Sequence, residues 1–286
     1  MNVWVEAARP RTLPAAVAPV LVGAGAARVW DTWRFAGALV VALSLQVAVN
    51  YANDYFDGVR GVDTADRVGP RRATASGLVQ PGQMKVAIGG ALAVAGLAGL
   101  GLTFAVGPEL LLVGVASIAA ALAYSGGPRP YASAGLGELF VFTFFGPVAT
   151  IGTAYVLTEE LLGRAVVASI PVGLVAAAIL VVNNVRDIST DAAAGKRTLA
   201  VRLGPRRTRH LLAGLVAVAC AVAVGLVATA GRDPSFVFAV LGCGAVLFVP
   251  VSNVYRAEGA GLVPALGSLA LLHLVFSAQL AVALAR

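Results

Sequence analysis

The chain has 286 residues, 59% of them hydrophobic and only 12% charged, and its mean hydropathy is +0.86. These values lie far outside the range of soluble globular domains and identify a polytopic membrane protein, whose apolar runs of spanning length are expected to be the helices of an all-α fold. The net charge of +7 sits mainly in short loops between apolar runs and comes with no nucleic-acid motif, so it points to the lipid bilayer and a phosphorylated substrate as partners rather than to nucleic acid.

About nine apolar runs are long enough to cross a bilayer, which takes roughly 20 residues each. They fall near residues 13–30, 34–53, 86–106, 109–125, 137–157, 164–186, 209–230, 235–254 and 261–284. They read as one transmembrane domain over residues 1–286, with a first Asp motif and its loop at 50–85 and a second at 183–208. If the N-terminus and the loops after even-numbered helices share a side, that side receives Arg9, Arg11, Arg60, Arg67, Arg71, Arg72, Lys85, Arg129, Arg186, Lys196, Arg197, Arg202, Arg206, Arg207, Arg209 and Arg256. The other side keeps Arg28, Arg34, Arg164, Arg232 and Arg286. The positive-inside rule then places the N-terminus and both Asp motifs in the cytoplasm and the C-terminus outside, in a multi-pass protein of the cell membrane.

Arg9 and Arg11 precede the first run, whose opening turns carry Pro14 and Pro19; such breaks are tolerated where the freed backbone groups line a cavity. The second run ends in NYANDYFDGVRGVD, Asn50 to Asp63. Asn50, Asp54 and Asp57 stand at i, i+4 and i+7 and share one helical face, with Asn53 beside them. Arg60, Arg67, Arg71 and Arg72 follow. The loop from Gly58 to Lys85 is long for a helix connection, and Gly69, Pro70, Gly77, Pro81 and Gly82 make it an ordered irregular segment or short helix of a size to act as a lid.

After the fourth run, Tyr124 and Arg129 flank Ser125, Gly126, Gly127 and Pro128 on the side of the Asp motifs, where a phenol and a base would border the site. Glu138 opens the fifth run and reads as a carboxylate favoured by a helix N-terminus. Phe140, Phe142, Phe144 and Phe145 read as lipid-facing or packing residues, the alternative being cation–π stabilisation of a carbocation. The sixth run ends in NNVRDISTDAAAGKRTLAVRLG, Asn183 to Gly204, where Asn183, Asp187 and Asp191 recur on one face with Asn184 beside them and Lys196, Arg197 and Arg202 behind. Cys220, Cys243, His210 and His273 lack metal-ligand spacing and read as packing or structural residues. An Asp motif thus closes the second helix of each of two four-helix pseudo-repeats, with one helix left over and a central cavity between them.

Carboxylates gathered at a membrane boundary repel one another unless a cation neutralises them. Asp54, Asp57, Asp187 and Asp191 are hard oxygen donors with no Cys or His nearby, which favours Mg²⁺ completed by waters and a substrate phosphate. These four are the candidate metal ligands and catalytic residues. Asn50, Asn53, Arg60, Arg72, Tyr124, Arg129, Asn183, Asn184, Lys196 and Arg197 are the candidate substrate-binding residues.

At NDYFD, VGPRR, SGG, NNVRD and AGKRTLAVRLG the sequence resembles the UbiA-type superfamily of intramembrane prenyltransferases, and within it the 1,4-dihydroxy-2-naphthoate prenyltransferases of menaquinone synthesis. The resemblance extends from ARPRTLPAAVAPVLVG at residues 8–23 through GLGELFVFTFFGPVA at 135–149 and past the second motif. It implies nine helices around a cavity open to the membrane, Mg²⁺ held on the diphosphate of a polyprenyl diphosphate donor, and transfer of the prenyl chain to 1,4-dihydroxy-2-naphthoate with loss of CO2 and diphosphate to give demethylmenaquinone. Asn50, Asp54 and Asp57 match the first motif, Asp187 and Asp191 the second, and Lys196 and Arg197 the basic pair after it. Two departures stand out. Asp63 follows Asp57 at a longer spacing than is usual, and Arg129 stands alone where the superfamily commonly has a basic pair. Arg9, Arg11, Tyr124 and Arg129 are candidates for binding the aromatic acceptor. The alternatives are another acceptor such as 4-hydroxybenzoate or heme and, from a different class, an ion-coupled secondary transporter. The shared helix-end position of the carboxylates speaks against the transporter, which would hold them near the bilayer midplane. Neither prenyl-chain length nor oligomeric state has a signature in these residues.

Overall fold

A computed structural model describes residues 2–61, 72–230 and 234–286. Its helices are α1 (Val3–Ala7), α2 (Leu13–Ala27), α3 (Thr32–Val59), α4 (Pro81–Val106), α5 (Glu109–Ala123), α6 (Gly137–Thr143), α7 (Ala149–Thr158), α8 (Gly163–Arg186), α9 (Ile188–Ala193), α10 (Leu199–Thr229), α11 (Pro234–Arg256) and α12 (Val263–Ala285). There is no strand among the described residues, as expected where lipid leaves the backbone no partners but its own. A π turn over Phe144–Val148, built on Pro147, joins α6 and α7 into the single span Gly137–Thr158.

Every expected run is helical, but seven helices among the described residues have the length and hydropathy to cross a bilayer by themselves. α2 and α5, with 15 residues each, are shorter. At 1.5 Å per residue they cover roughly 22 Å, less than the hydrocarbon core.

The first Asp motif lies on one helix as its spacing predicts, though that helix runs further than expected, and the second does not. α3 continues through the first motif to Val59, so Asn50, Asn53, Asp54 and Asp57 all belong to its last turns. α8 stops at Arg186, Asp187 has φ −100° and ψ 8°, and Asp191 sits on the separate short helix α9. The expected loop over 183–208 is therefore mostly helical, and α10 begins at Leu199, interrupted only at Gly204 (φ 76°, ψ 167°) before Pro205. Runs defined by hydropathy end at the first charged residue, whereas a helix continues as long as its polar side chains find partners.

Helix starts follow their caps. Asp31 accepts the Arg34 N–H at the head of α3, Thr198 accepts the Val201 N–H at the head of α10, and Gln80 and Gln83 form a reciprocal capping box around the first turn of α4.

α2 and α8 occupy the centre of the bundle: α2 packs on α3, α7, α8 and α12, and α8 on α2, α6, α7, α10 and α12. Small residues permit this. A Cβ on Gly25 would lie 2.3 Å from the Ala281 carbonyl oxygen, and one on Gly146 would lie 2.8 Å from the Gly173 Cα. Close approach at small residues is the usual basis of helix association in lipid. The main apolar core lies among α2, α8, α10, α11 and α12, with a smaller one around Ala52, Met84 and Ile88. Away from the Asp motifs, arginines tie helix ends together: Arg28 Nε donates to Leu284 O (2.8 Å), Arg34 to Val156 O and Ala105 O (3.1 and 3.2 Å), and Arg164 to Ala26 O and Ala27 O. Carbonyls at helix C-termini have no partner within their own helix, and a guanidinium meets both their hydrogen-bonding need and their partial charge.

Candidate active site

A cavity of about 380 Å³ opens between α2, α3, α5, α6–α7 and α8. Asn50, Asn53, Asp57, Arg72, Asn183, Asn184, Asp187, Asp191 and Lys196 line it together with aliphatic residues such as Val41, Leu45, Leu102 and Val113. Helix ends distant in sequence therefore meet in one chamber, charged at the motifs and apolar elsewhere.

In the first motif Asp54 is 1% exposed and absent from the cavity wall. Its two oxygens accept the backbone N–H groups of Ala73 (2.9 Å) and Thr74 (2.7 Å), fixing the segment that follows residue 71 against the end of α3. Asp54, a metal ligand on sequence grounds, is here a scaffold acceptor. Asp57, one turn on, faces the cavity, with Arg72 Nη2 and Lys196 Nζ each 3.4 Å from its Oδ2.

In the second motif the buried Arg186 grips Asp187 through Nε (2.7 Å) and Nη2 (2.6 Å), and the same Nη2 donates to Asn183 Oδ1 (2.8 Å). Asp191 stands 3.6 Å from Lys196 Nζ. One ammonium thus bridges the outer carboxylates of the two motifs, Asp57 and Asp191. Among the described residues no three carboxylate, His or Cys groups lie close enough to hold an ion unaided. The set is oxygen-only and incomplete without water or phosphate, and its two outer carboxylates already converge on a cation. It fits Mg²⁺ and not zinc.

The entry segment is held by amides. Asn50 Nδ2 donates to Ala8 O (2.8 Å) and Thr12 Oγ1 (3.1 Å), and Gln46 Nε2 reaches Thr12 Oγ1 (3.2 Å). Between them Arg9 takes φ 52°, ψ 69°, a left-handed conformation that non-glycine residues avoid, and its side chain lines the cavity. Arg11 is exposed and outside the wall. Opposite, Ser125 Oγ donates to Asn53 Oδ1. Tyr124 lines the cavity and brings a phenol O–H donor to it.

Three residues expected to bind substrate lie off the wall. Arg60 donates to Ser125 O (2.7 Å) and Gly127 O and lies over the Phe56 ring at 5.6 Å, so it clamps the SGG turn, in which Gly127 has φ 77°. Arg129 and Arg197 are exposed; the Arg197 backbone N–H donates to Ser133 O (2.9 Å). Asp63, Arg67, Gly69, Pro70, Arg71 and Arg232 lie outside the described residues, so residues 62–71 of the expected lid do too.

The phenylalanine run is corrected by the fold. Phe140, Phe144 and Phe145 line the cavity, and only Phe142 packs away, against Gly173. Tyr131 stacks on Phe140 with ring centroids 3.9 Å apart, Phe144 lies parallel beyond it at 6.2 Å, and Tyr124 meets Tyr131 edge-on at 5.4 Å. Neither Tyr131 nor Arg186 is among the site residues expected from sequence. Tyr131 stands among turn-forming Gly and Pro, and Arg186 has the pattern of a basic residue that sets topology. The one sequence signal for Arg186 is its place between Asn183 and Asp187.

The sequence profile of the UbiA prenyltransferase family matches residues 14–281. A 1,4-dihydroxy-2-naphthoate octaprenyltransferase of Mycobacterium tuberculosis is 50% identical over 221 residues, covering 76% of this chain and 75% of that protein. The protein of the same description from Escherichia coli is 38% identical over 224 residues, covering 74% and 72%. Among solved structures, a UbiA homolog from Archaeoglobus fulgidus bound to GPP and Mg²⁺ superposes with a TM-score of 0.72 at 17% identity, covering 96% of this chain and 98% of that one. An apo UbiA homolog from Aeropyrum pernix K1 also gives 0.72 at 17% identity, covering 93% and 96%. With the fold, the paired Asp motifs at one chamber and this profile in agreement, the chain belongs to the UbiA prenyltransferase family.

Proposed function

We propose that the chain transfers a polyprenyl group from polyprenyl diphosphate to 1,4-dihydroxy-2-naphthoate, losing diphosphate and CO2 and giving demethylmenaquinol, which oxidises to demethylmenaquinone in menaquinone biosynthesis. The observation that carries the reaction type is one cavity with carboxylates, amides and cations at the helix ends and aromatic and aliphatic walls beyond. The acceptor follows relatives that are 50% and 38% identical and carry that naphthoate in their descriptions.

Mg²⁺ is the proposed cofactor, with Asp57, Asp187 and Asp191 as the residues that would hold it; once bound, it would neutralise negative charge developing on the diphosphate. Lys196 and Arg72 supply fixed positive charge to the same oxygens, and Tyr124 an O–H donor, without reorganising during the reaction. The allylic carbon left electron-poor as diphosphate departs must meet the naphthoate before it meets water. Tyr131, Phe140 and Phe144 offer ring faces to that carbon and, with Leu45, Leu102 and Val113, keep water out and house the prenyl tail. The Asp-motif end faces the cytoplasm of a cell-membrane protein, in line with its excess of arginine and lysine.

The test is prenyl transfer by the purified protein in detergent, with 1,4-dihydroxy-2-naphthoate and a long polyprenyl diphosphate, with and without Mg²⁺. Product that requires Mg²⁺ is expected. Product only with 4-hydroxybenzoate would move the acceptor assignment, and no product from folded protein would overturn the reaction.

A further inference from the structure

Asn183 and Asn184 are consecutive in sequence and both line the cavity, yet their side chains are held by partners of opposite charge. Arg186 Nη2 donates to Asn183 Oδ1 (2.8 Å), which leaves the Asn183 NH2 group for the chamber. Glu138 does the reverse: its Oε1 accepts from Asn184 Nδ2 (2.8 Å), which leaves Oδ1, the other end of that amide, for the chamber. An arginine can only donate and a carboxylate accepts, so each neighbour selects one of the two amide orientations.

Glu138 is more than a favourable charge at a helix start. It is 8% exposed, and its second oxygen, Oε2, is buried with no hydrogen-bond partner among the described residues. An unsatisfied buried polar atom costs about 1–3 kcal/mol, and a small hydroxyl or amide residue would serve the first turn of α6 without that cost. The contact from α6 to α8 offsets it. A few turns away, Gly173 of α8 lies close against Phe142 of α6 and Gly146 of the π turn that continues it.

The two orientations suit different ligand atoms. An NH2 group on the amide that Arg186 holds suits an anionic oxygen. A bare carbonyl repels phosphate and suits a hydroxyl. We propose that Glu138 is a positioning residue that holds Asn184 Oδ1 toward the cavity, where it accepts a hydrogen bond from a ring hydroxyl of the aromatic acceptor. This rests on the prenyl-transfer reading above and assigns the acceptor's hydroxyl contact within it.

The test is steady-state kinetics in detergent, varying each substrate separately, for wild type, Glu138→Gln, Glu138→Ala, Asn184→Ala and the double alanine variant. Gln at 138 keeps a carbonyl for the Asn184 N–H, so E138Q is expected within about 3-fold of wild type. E138A and N184A should each raise KM for the naphthoate about 10- to 100-fold while leaving KM for the diphosphate within about 2-fold. The double variant should be no worse than N184A, because both changes remove one contact. E138Q as impaired as E138A, an equal shift in KM for the diphosphate, or additive losses would each overturn the proposal. If E138A does not fold, E138Q and N184A decide: an impaired E138Q or an unaffected N184A overturns it. A wild-type protein inactive on the naphthoate would defeat the functional reading and this proposal together, whereas an active wild type with an impaired E138Q defeats the proposal alone.

Discussion

At the end of α3, Asp54 turns back to the backbone of Ala73 and Thr74 while Asp57 faces the cavity; at the end of α8, Asp187 is gripped by Arg186 while Asp191 faces Lys196. Each motif therefore ties its inner carboxylate to a neighbour and brings its outer one to Lys196, but the inner ones are satisfied by different means. Neutral N–H groups hold Asp54, so its role is to position the segment that carries Arg72. A guanidinium holds Asp187, which still lines the wall, so this carboxylate orients Arg186 and Asn183 as well as presenting itself to ligand. Similar motifs in sequence become a mechanical anchor in one half and an ionic cluster in the other. The outer pair, Asp57 and Asp191, is where the halves converge, on the single ammonium of Lys196.

The sharpest break in this comparison comes from the inner carboxylates. Asp187→Ala leaves a buried guanidinium without its partner and should cost about 3–5 kcal/mol of stability; thermal unfolding in detergent measures it, and a loss no larger than that of Asp54→Ala would remove the distinction between ionic and neutral anchoring. The outer pair should fail together: Asp57→Asn and Asp191→Asn are each expected to lower kcat about 10²- to 10³-fold with near-normal melting. Full activity in one of them would show that the motifs do not share a ligand through Lys196. Asp54→Ala strands one buried and one half-buried N–H group at about 1–3 kcal/mol, with faster hydrogen exchange at Ala73 and Thr74 as its signature. The smallest effect lies at the opposite end of the bundle. Arg28→Gln removes one bond to Leu284 O and should cost about 1 kcal/mol with activity unchanged; loss of turnover there would mean that helix-end stapling is coupled to the chamber.

Much of the architecture was legible because it is local. Hydropathy marked every segment, though it ended α3 too early and began α10 too late, since a helix persists past the first charge when its polar side chains find partners. The i, i+4 spacing put Asn50, Asp54 and Asp57 on one helix, where they are. The same spacing in the second motif assumed a continuous helix, and Asp187 breaks it. The arginines of the sparsely charged end read as leftovers of topology, yet Arg28, Arg34 and Arg164 each reach carbonyls of other helices. The phenylalanine run read as lipid-facing or packing because period alone cannot say which face meets a cavity; the π turn at Pro147 sits at the end of that run, and three of its four rings line the cavity.

By itself the sequence determined the membrane class, the order of the helices, the gathering of both Asp motifs at one end and the hard-oxygen character of the site. Composition and short-range spacing carry all of these. Tertiary structure alone decided which carboxylate serves the scaffold and which the chamber, and why Arg60 clamps a turn while Arg72 meets Asp57. It also decided how two adjacent asparagines come to face the cavity with opposite ends. The partners involved are separated by 139 residues for Lys196 and Asp57 and by 46 for Asn184 and Glu138. A side chain's donor or acceptor role depends on which neighbour reaches it, and such neighbours are chosen by packing, through helices that touch where glycine and alanine let them.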